Sequence, residues 1–514
     1  MKKLIALLLA FIMAFSLIAC SSTEAPEKDP VNGTTPAEDK PAADASAENE
    51  LVTLKWVAGA NSVPDTTEVE LVLAEANKIL NEKIGVNLEI EFMTFTEISE
   101  KMPMYMASDM PWDLCFTSNW ANIYKDAATK GGLLKLNDLL DTVATDLKST
   151  LPEYFWEGAA LNGEIYAVPN MQIVASSMCW VIQTEYAEKY GLDTTSVKNL
   201  TDFEAFFQKI VDNEPGLYPY RAHSGIRGFY DNAEKMLVEA SLGNSLSAHS
   251  GMGAIRVLTD GELNFSADAG MDEIISAQKK MREWMDKGYI RADYLSTIED
   301  DGADKTALKF VVWDDNYKPG VETEFENQYG IDVTVIPCTV PVINSGSLTA
   351  TMTGINAKTE HPEKAIQLIE LMNTDAELYN LLCYGIEGRH YTLTENGQMI
   401  PNTESGYYLN SDWAMGNTNL GMTMDGQPLD MREQVVEMNE TGYVSRLSGF
   451  AFDSTAVEVE LAAVNEITSQ YGNQFLTTSD IDAFNADLME QYKNAGIDKI
   501  ADEANRQLQE FLAG

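Results

Sequence analysis

Apolar positions along the chain switch between two periods, and the switches predict the elements. From Leu51 to Val57 the period is two, with Val52, Leu54 and Trp56 on one face of a strand. From Thr67 to Lys83 it lengthens. Val69, Val72, Leu73, Ala76, Ile79 and Leu80 recur at helical spacing, with Asp65 and Thr66 as capping material ahead and Gly85 behind. Val86, Leu88, Ile90 and Phe92 return to alternation, a helical stretch follows to about Met106, and Asp113 to Phe116 reads as a third strand. Strands separated by helices must cross over, so this run predicts a parallel sheet.

A second α/β region begins near Ala167. Met178 to Gln183 reads as a strand, Glu185 to Tyr190 as a helix stopped by Gly191, and Asp202 to Val211 and Asp272 to Lys287 as further helices. Lys309 to Trp313 and Ile331 to Pro337 are β-branched runs between turn residues. Pro362 stands near the first position of a helix that reaches Asn373. Three helices close the chain, at Val457 to Tyr471, Ile481 to Ala495 and Ile497 to Leu512.

Ahead of the first strand the pattern is of another kind. Lys2 and Lys3 precede an apolar or small-residue run from Leu4 to Ala19 that ends at Leu17-Ile18-Ala19-Cys20. At ~1.5 Å per residue the run covers about 24 Å, short of the roughly 30 Å of a bilayer core. It reads as a bacterial lipoprotein signal peptide over residues 1–19, with Cys20 taking a diacylglycerol and becoming the new N-terminus. Residues 20–50, rich in Ala, Pro, Thr, Ser, Glu and Asp, cannot offset their own ordering entropy and read as a tether. The expected location is the extracytoplasmic face of a bacterial cell membrane, where two or more lipid chains at ~0.8 kcal/mol per buried CH₂ suffice as an anchor.

Charge removes one class of function. With 35 basic against 80 acidic residues the net charge is −45, which disfavours any grip on nucleic acid. GxSxG, HExxH, GxxxxGK and GxGxxG motifs are all missing, and only His223, His249, His361 and His390 are available. No catalytic residue, metal or cofactor is expected. Paired carboxylates for glycoside hydrolysis stay open, since their separation of roughly 5–10 Å is a tertiary property. Asp300-Asp301-Gly302-Ala303-Asp304 lacks the ligand alternation and terminal Glu of a calcium loop and reads as a solvated acidic turn. Cys115, Cys179, Cys338 and Cys383 are far apart in apolar contexts and read as free thiols.

The binding candidates lie where strands run into polar turns. After Asp113-Leu114-Cys115-Phe116, Ser118 and Asn119 can hydrogen-bond hydroxyls and Trp120 can offer a flat face to the C–H side of a sugar ring. This is the place for a ligand, beyond the carboxyl end of a parallel strand. Asn162 to Asn170, with Tyr166, reads as a tight turn, a short strand and a crossing to another lobe. Arg389 and Tyr391 stand between glycines in Gly385-Ile386-Glu387-Gly388-Arg389-His390-Tyr391, where Arg389 either binds ligand or pairs with a carboxylate. Trp413, with Trp56, Trp156, Trp180 and Trp313, completes the stacking candidates, of which about half are expected to reach a cleft.

These blocks resemble extracellular solute-binding protein family 1, the lipoprotein receptors of bacterial ABC importers, and in particular its carbohydrate-type branch. The carriers are the lipobox, Met110 to Trp120, Gly131-Gly132-Leu133-Leu134 ahead of Leu136 to Leu140, and Asn162 to Asn170. The Gly385 to Tyr391 block, Gly449 to Ser454 and Asn494 to Phe511 are similar to the C-terminal domain of unknown function 3502. The resemblance implies a two-lobed α/β fold of the periplasmic-binding-protein type II kind with a helical C-terminal portion. Lobe 1 would comprise 51–168 and about 330–375, lobe 2 about 169–329 and 376–448, with 449–514 as the helical appendage. It implies a monomeric receptor that closes on an oligosaccharide, or another small solute such as a peptide, and delivers it to permease subunits of an ABC transporter. Asn119, Trp120, Asn170, Arg389, Tyr391 and Trp413 would be suitable ligand contacts. A surface sensor or adhesin and, more remotely, a glycoside hydrolase are the alternatives.

Overall fold

The computed structural model describes residues 51–513 except 109, 176, 223–224, 231–237, 243–251, 259–261 and 295–307. The signal peptide, Cys20, the tether, His223, His249 and the acidic turn at 300–304 lie outside the described residues.

Three parallel strands found the first lobe: β1 (Val52–Gly59), β2 (Val86–Met93) and β3 (Leu114–Thr117). β1 is central, with Trp56 opposite Ile90 on one side and Leu114 on the other. Leu54 and Trp56 are buried, as the alternation predicts. They share a core with the helix Thr66–Ile84, whose Val72, Ala76 and Leu80 turn inward. That helix stops where Gly85 takes φ of 65° and its N–H bonds back to Leu80 and Asn81 carbonyls. Thr94 and Glu97 form a reciprocal capping box that starts the helix Phe95–Ala107 directly after β2.

The sheet is mixed beyond these strands. Its order is β2, β1, β3, Met352–Ile355, Ala167–Pro169, and Met352–Ile355 runs antiparallel to both neighbours. That strand is not the product of a helical crossover. It returns from the second lobe and so enters from the opposite end.

Met178–Gln183 is one of the two inner strands of a second sheet, between Val333–Pro337 and Phe310–Asn316, both antiparallel to it. Tyr218–Arg221 closes the far edge, parallel to Phe310–Asn316. The proline in Tyr218-Pro219-Tyr220-Arg221 conceals this strand in the sequence, and an edge position is where a strand tolerates a missing donor.

Packing redraws the expected lobe boundaries. Residues 376–442, most of the stretch expected in lobe 2, belong with lobe 1: Leu378, Tyr379, Leu382, Tyr407, Leu409, Met415 and Met438 are buried in the core that surrounds the first sheet. Asp375 explains the junction, because it ends the helix Pro362–Thr374 and its Oδ1 accepts from Glu377 and Leu378 N–H to start Ala376–Tyr384 at once. The strand Val333–Pro337, expected in lobe 1, pairs in the second sheet. The C-terminal helices Glu458–Tyr471, Ile481–Ala495 and Ile497–Ala513 are not an appendage. Val464, Leu488, Tyr492, Ile500 and Leu508 share one core with Ile274, Met281 and Trp284 of the second lobe.

Among the described residues, three segments therefore cross between the lobes: 170–177, 338–342 and 443–450. They are bonded to one another. Thr339 accepts from Met178 N–H through Oγ1 at 2.8 Å and from the Ser177 hydroxyl through its carbonyl at 2.9 Å. Val342–Ile343 pairs in parallel with Tyr443–Val444.

Candidate functional site

The carboxyl ends of β1, β2 and β3 carry a group of four aromatic rings. Phe95 comes from the first helical position after β2, Phe116 from within β3, Trp120 from the turn beyond it, and Trp413 from a short 3-10 turn at Asp412–Ala414. The Phe95 ring lies 5.0 Å from Trp413 at 18°, stacked, and 5.0 Å from Trp120 at 59°. Trp120 and Trp413 are 6.3 Å apart, centroid to centroid. Phe116 is buried beneath, and Trp120 is 48% exposed. Phe95 was not among the residues singled out from the sequence. Its signal was weak but present: it sits immediately after the Thr94 cap at the end of a parallel strand. A Cβ on Gly59 at the end of β1 would stand 2.2 Å from the Phe95 ring, so the glycine makes room for it.

The turn after β3 explains why Trp120 points outward. The Ser118 hydroxyl accepts from the backbone N–H of Trp120 at 3.1 Å and Ala121 at 2.7 Å, and donates to the Ala121 carbonyl. Ser118 is fully buried, so it builds the turn and is not placed to touch a ligand, contrary to the sequence expectation. Asn119 remains exposed and its Nδ2 donates to the Gly346 carbonyl at 2.8 Å. Trp120 Nε1 donates to the Ala350 carbonyl at 2.8 Å, fixing the indole while leaving a face open.

Asn170, the first residue of the first crossing, is also buried. Its Nδ2 donates to the Trp413 carbonyl at 3.1 Å and its Oδ1 accepts from the Thr353 hydroxyl. It therefore holds the ring group beside the lobe junction and is not a direct contact. Tyr166 is half-buried and packs with the same apolar group as Phe95 and Trp413. The turn ahead of it forms as read: Asn162 and Gly163 take φ of 54° and 81°, and Leu161 and Glu164 exchange both backbone hydrogen bonds.

Arg389 and Tyr391 belong elsewhere. Arg389 Nε and Nη2 hold both oxygens of Glu68 at 2.6 and 2.7 Å, so the guanidinium pairs with a carboxylate of the helix Thr66–Ile84. Tyr391 packs against the first-lobe core. His390 completes this clamp. Its Nδ1 accepts from Ile386 N–H at 2.8 Å, which leaves a proton on Nε2 for Glu68 at 3.0 Å. A Cβ at Gly385, where φ is 81°, would stand 2.2 Å from Nδ1. The motif is thus a clasp within lobe 1. Hydrogen bonds from Arg389 and then His390 hold the Glu68 carboxyl at about 2, below its ordinary 4.5. A lowered folded-state pKa means the clasp stabilises fully above pH about 4.5 and loses that contribution as pH falls towards about 2. Thermal melts over that window should show the gap between wild type and Glu68→Gln at its full width above pH about 4.5 and closing as pH falls towards about 2, on top of the acid destabilisation that both proteins share. A constant gap between them would refute the clasp's role.

Trp56, Trp180 and Trp313 are in the cores, and Trp156 is nearly so, its Nε1 donating to the Lys148 carbonyl. Of the five further stacking candidates only Trp413 reaches the site. A separate groove of about 1370 Å³ lies between the first lobe and the C-terminal helices. Its cations are engaged internally, Arg506 with Glu503 and Glu510 and Lys125 with the Phe452 carbonyl.

Two α/β lobes joined by crossings, with an open ring floor at the junction, are the architecture of a solute-binding protein of the periplasmic type II kind. Residues 59–378 match the family model of bacterial extracellular solute-binding proteins, and the chain belongs to that family. Residues 446–513 match a domain of unknown function, DUF3502. A carbohydrate ABC transporter substrate-binding protein of Streptococcus pneumoniae is 25% identical over 460 residues, covering 86% of this chain and 88% of its own. The fold is similar to the crystal structure of the N-glycan transport solute-binding protein NgtS from Streptococcus pneumoniae. The TM-score is 0.78 at 23% identity over 90% of this chain and 99% of that one. With NgtS in complex with Man5GlcNAc the TM-score is 0.66 at the same identity and coverage. No helix among the described residues is long and apolar enough to cross a membrane.

Proposed function

We propose that the protein is a lipid-anchored receptor, attached through Cys20, that captures an oligosaccharide between its lobes and delivers it as a monomer to ABC permease subunits. The observation that carries this reading is the floor formed by Phe95, Trp120 and Trp413 beside the first crossing. Sugar rings present apolar C–H faces that such a floor can cover, and Asn119 is the exposed amide beside it. Closure follows from contact difference: a ligand that touches both lobes stabilises the closed arrangement by what it gains there. The carbohydrate and N-glycan relatives support an oligosaccharide over a peptide.

A thermal-shift panel tests the assignment, with Man5GlcNAc, smaller mannose and N-acetylglucosamine fragments, fructo-oligosaccharides and peptides as probes. A true ligand at ~100 times its Kd adds about 2.7 kcal/mol of stability and raises Tm. A shift with at least one oligosaccharide class is expected. A shift with peptides alone, or with none of the saccharides, would overturn the sugar reading.

A further inference from the structure

Trp413 takes its position from Asp412, and Asp412 is held from several directions. Its carbonyl accepts from the Tyr379 hydroxyl at 2.9 Å, and its Oδ2 accepts from the Tyr384 hydroxyl at 2.8 Å and Arg432 Nη2 at 3.4 Å. The same guanidinium donates to the Gly421 and Met422 carbonyls at 3.2 and 3.0 Å, and its side chain is only 17% exposed. A Cβ on Gly421 would stand 2.6 Å from the Tyr384 hydroxyl and 2.9 Å from Arg432 Nη2. Glycine there lets the two groups meet.

Arg432 is in the first turn of the helix Met431–Thr441. Two turns later on the same helix, the buried Asn439 grips the first crossing. Its Oδ1 accepts from Val174 and Ala175 N–H at 2.9 and 3.1 Å, and its Nδ2 donates to the Gln172 carbonyl at 2.7 Å. Over this span, roughly 10 Å of axial rise, the α-helix moves as one body. One rigid element thus holds the loop bearing Trp413 at one end and the segment leading to the second lobe at the other. Asn170 adds a second link at the start of that segment.

We propose that the helix Met431–Thr441 couples the ring floor to the lobe junction. Arg432 and Asp412 are positioning residues for Trp413, and Asn439 ties their placement to residues 172–175. Loading of the floor then biases the crossing through a physical two-ended connection. The functional meaning rests on the ring floor being the ligand platform proposed above, but the connection itself is testable without ligand.

The experiment uses the full chain labelled with 5-fluorotryptophan, with the Trp413 ¹⁹F resonance assigned by Trp413→Phe and buried Trp56 as internal control. Each variant alters one end and is read at the other. Asn439→Ser should shift and broaden the Trp413 resonance and leave Trp56 unchanged. Arg432→Lys keeps the charge but cannot reproduce the guanidinium fork. It should speed amide exchange at Val174 and Ala175 about tenfold, the size of one weakened hydrogen bond. If Arg432→Lys does not fold, Asp412→Asn makes the same comparison. An unmoved Trp413 resonance in Asn439→Ser, or unchanged exchange at 174–175 in the folded Arg432 or Asp412 variant, overturns the coupling. Titration of the same labelled protein with each saccharide of the thermal-shift panel, Man5GlcNAc among them, is read separately. Absence of saccharide binding alongside both remote effects would sink the ligand assignment and leave the coupling standing.

Discussion

Removing the indole at Trp120 should weaken oligosaccharide binding about thirtyfold with only a modest fall in Tm. A sugar ring lying on an indole covers on the order of 80 Å² of apolar surface, worth about 2 kcal/mol at ~25 cal/mol per Å². That free energy is about thirtyfold in Kd. The fall in stability should be modest because Trp120 is 48% exposed, its losses being tilted or edge-on ring contacts with Phe95, Phe116 and Trp413 and one bond to the Ala350 carbonyl. Trp120→Phe, which keeps a flat face, should recover part of the loss. Calorimetry with whichever saccharide gives the largest thermal shift measures it. An unchanged Kd for Trp120→Ala would remove the ring floor from the binding site. Trp413→Ala is the less clean companion, since Trp413 is half-buried and stacked on Phe95.

Much of this site was legible because strand ends are local features. β3 and the turn after it are continuous in sequence, and the apolar run Leu114-Cys115-Phe116 within a strand–helix–strand order places Trp120 beyond a carboxyl end. Residues that act by holding others are not distinguishable from ligand contacts in the sequence. Ser118 and Asn170 have the chemistry of ligand contacts, and only burial shows that their polar atoms are spent on the turn and on Trp413. Arg389 had two readings, and its choice of Glu68 depended on a helix more than 300 positions away. Phe95 needed both Gly59 and Trp413 to acquire meaning, and neither is near it in the chain. The lobe boundaries failed for a related reason. Periodicity reports which face of an element is apolar, and says nothing about which of two cores receives that face. Asp375 makes the point, because its capping bonds are easily imagined from sequence, whereas the packing that keeps 376–442 with the first lobe is not.

Deleting residues 450–514 should unfold the second lobe, where removal of a helical appendage would leave it intact. Val464, Phe475, Leu488, Tyr492, Ile500 and Leu508 are each buried in one core with Trp284 and Met281. Side chains of this size contribute roughly 1.5–3 kcal/mol apiece when buried. Their combined loss matches or exceeds the whole stability of a typical domain, about 5–15 kcal/mol. Polar bonds fall with them. Asn485 Nδ2 donates to the buried Gln278 Oε1 at 2.6 Å, and Asn505 exchanges bonds with both backbone groups of Phe265 at 2.6 and 2.9 Å. Gly253 is pressed so close to Thr468 that a Cβ would stand 2.4 Å from its hydroxyl. In the truncated chain, near-ultraviolet signal from the Trp284 environment should collapse and a hydrophobic dye should bind, while the first lobe keeps its own melting transition. A single Leu508→Ala change in the full chain should reproduce the effect in miniature, at about 2–5 kcal/mol. If the truncated protein retained a cooperative second-lobe transition at the wild-type temperature, the shared core would be energetically idle, and the C-terminal helices would be an appendage after all.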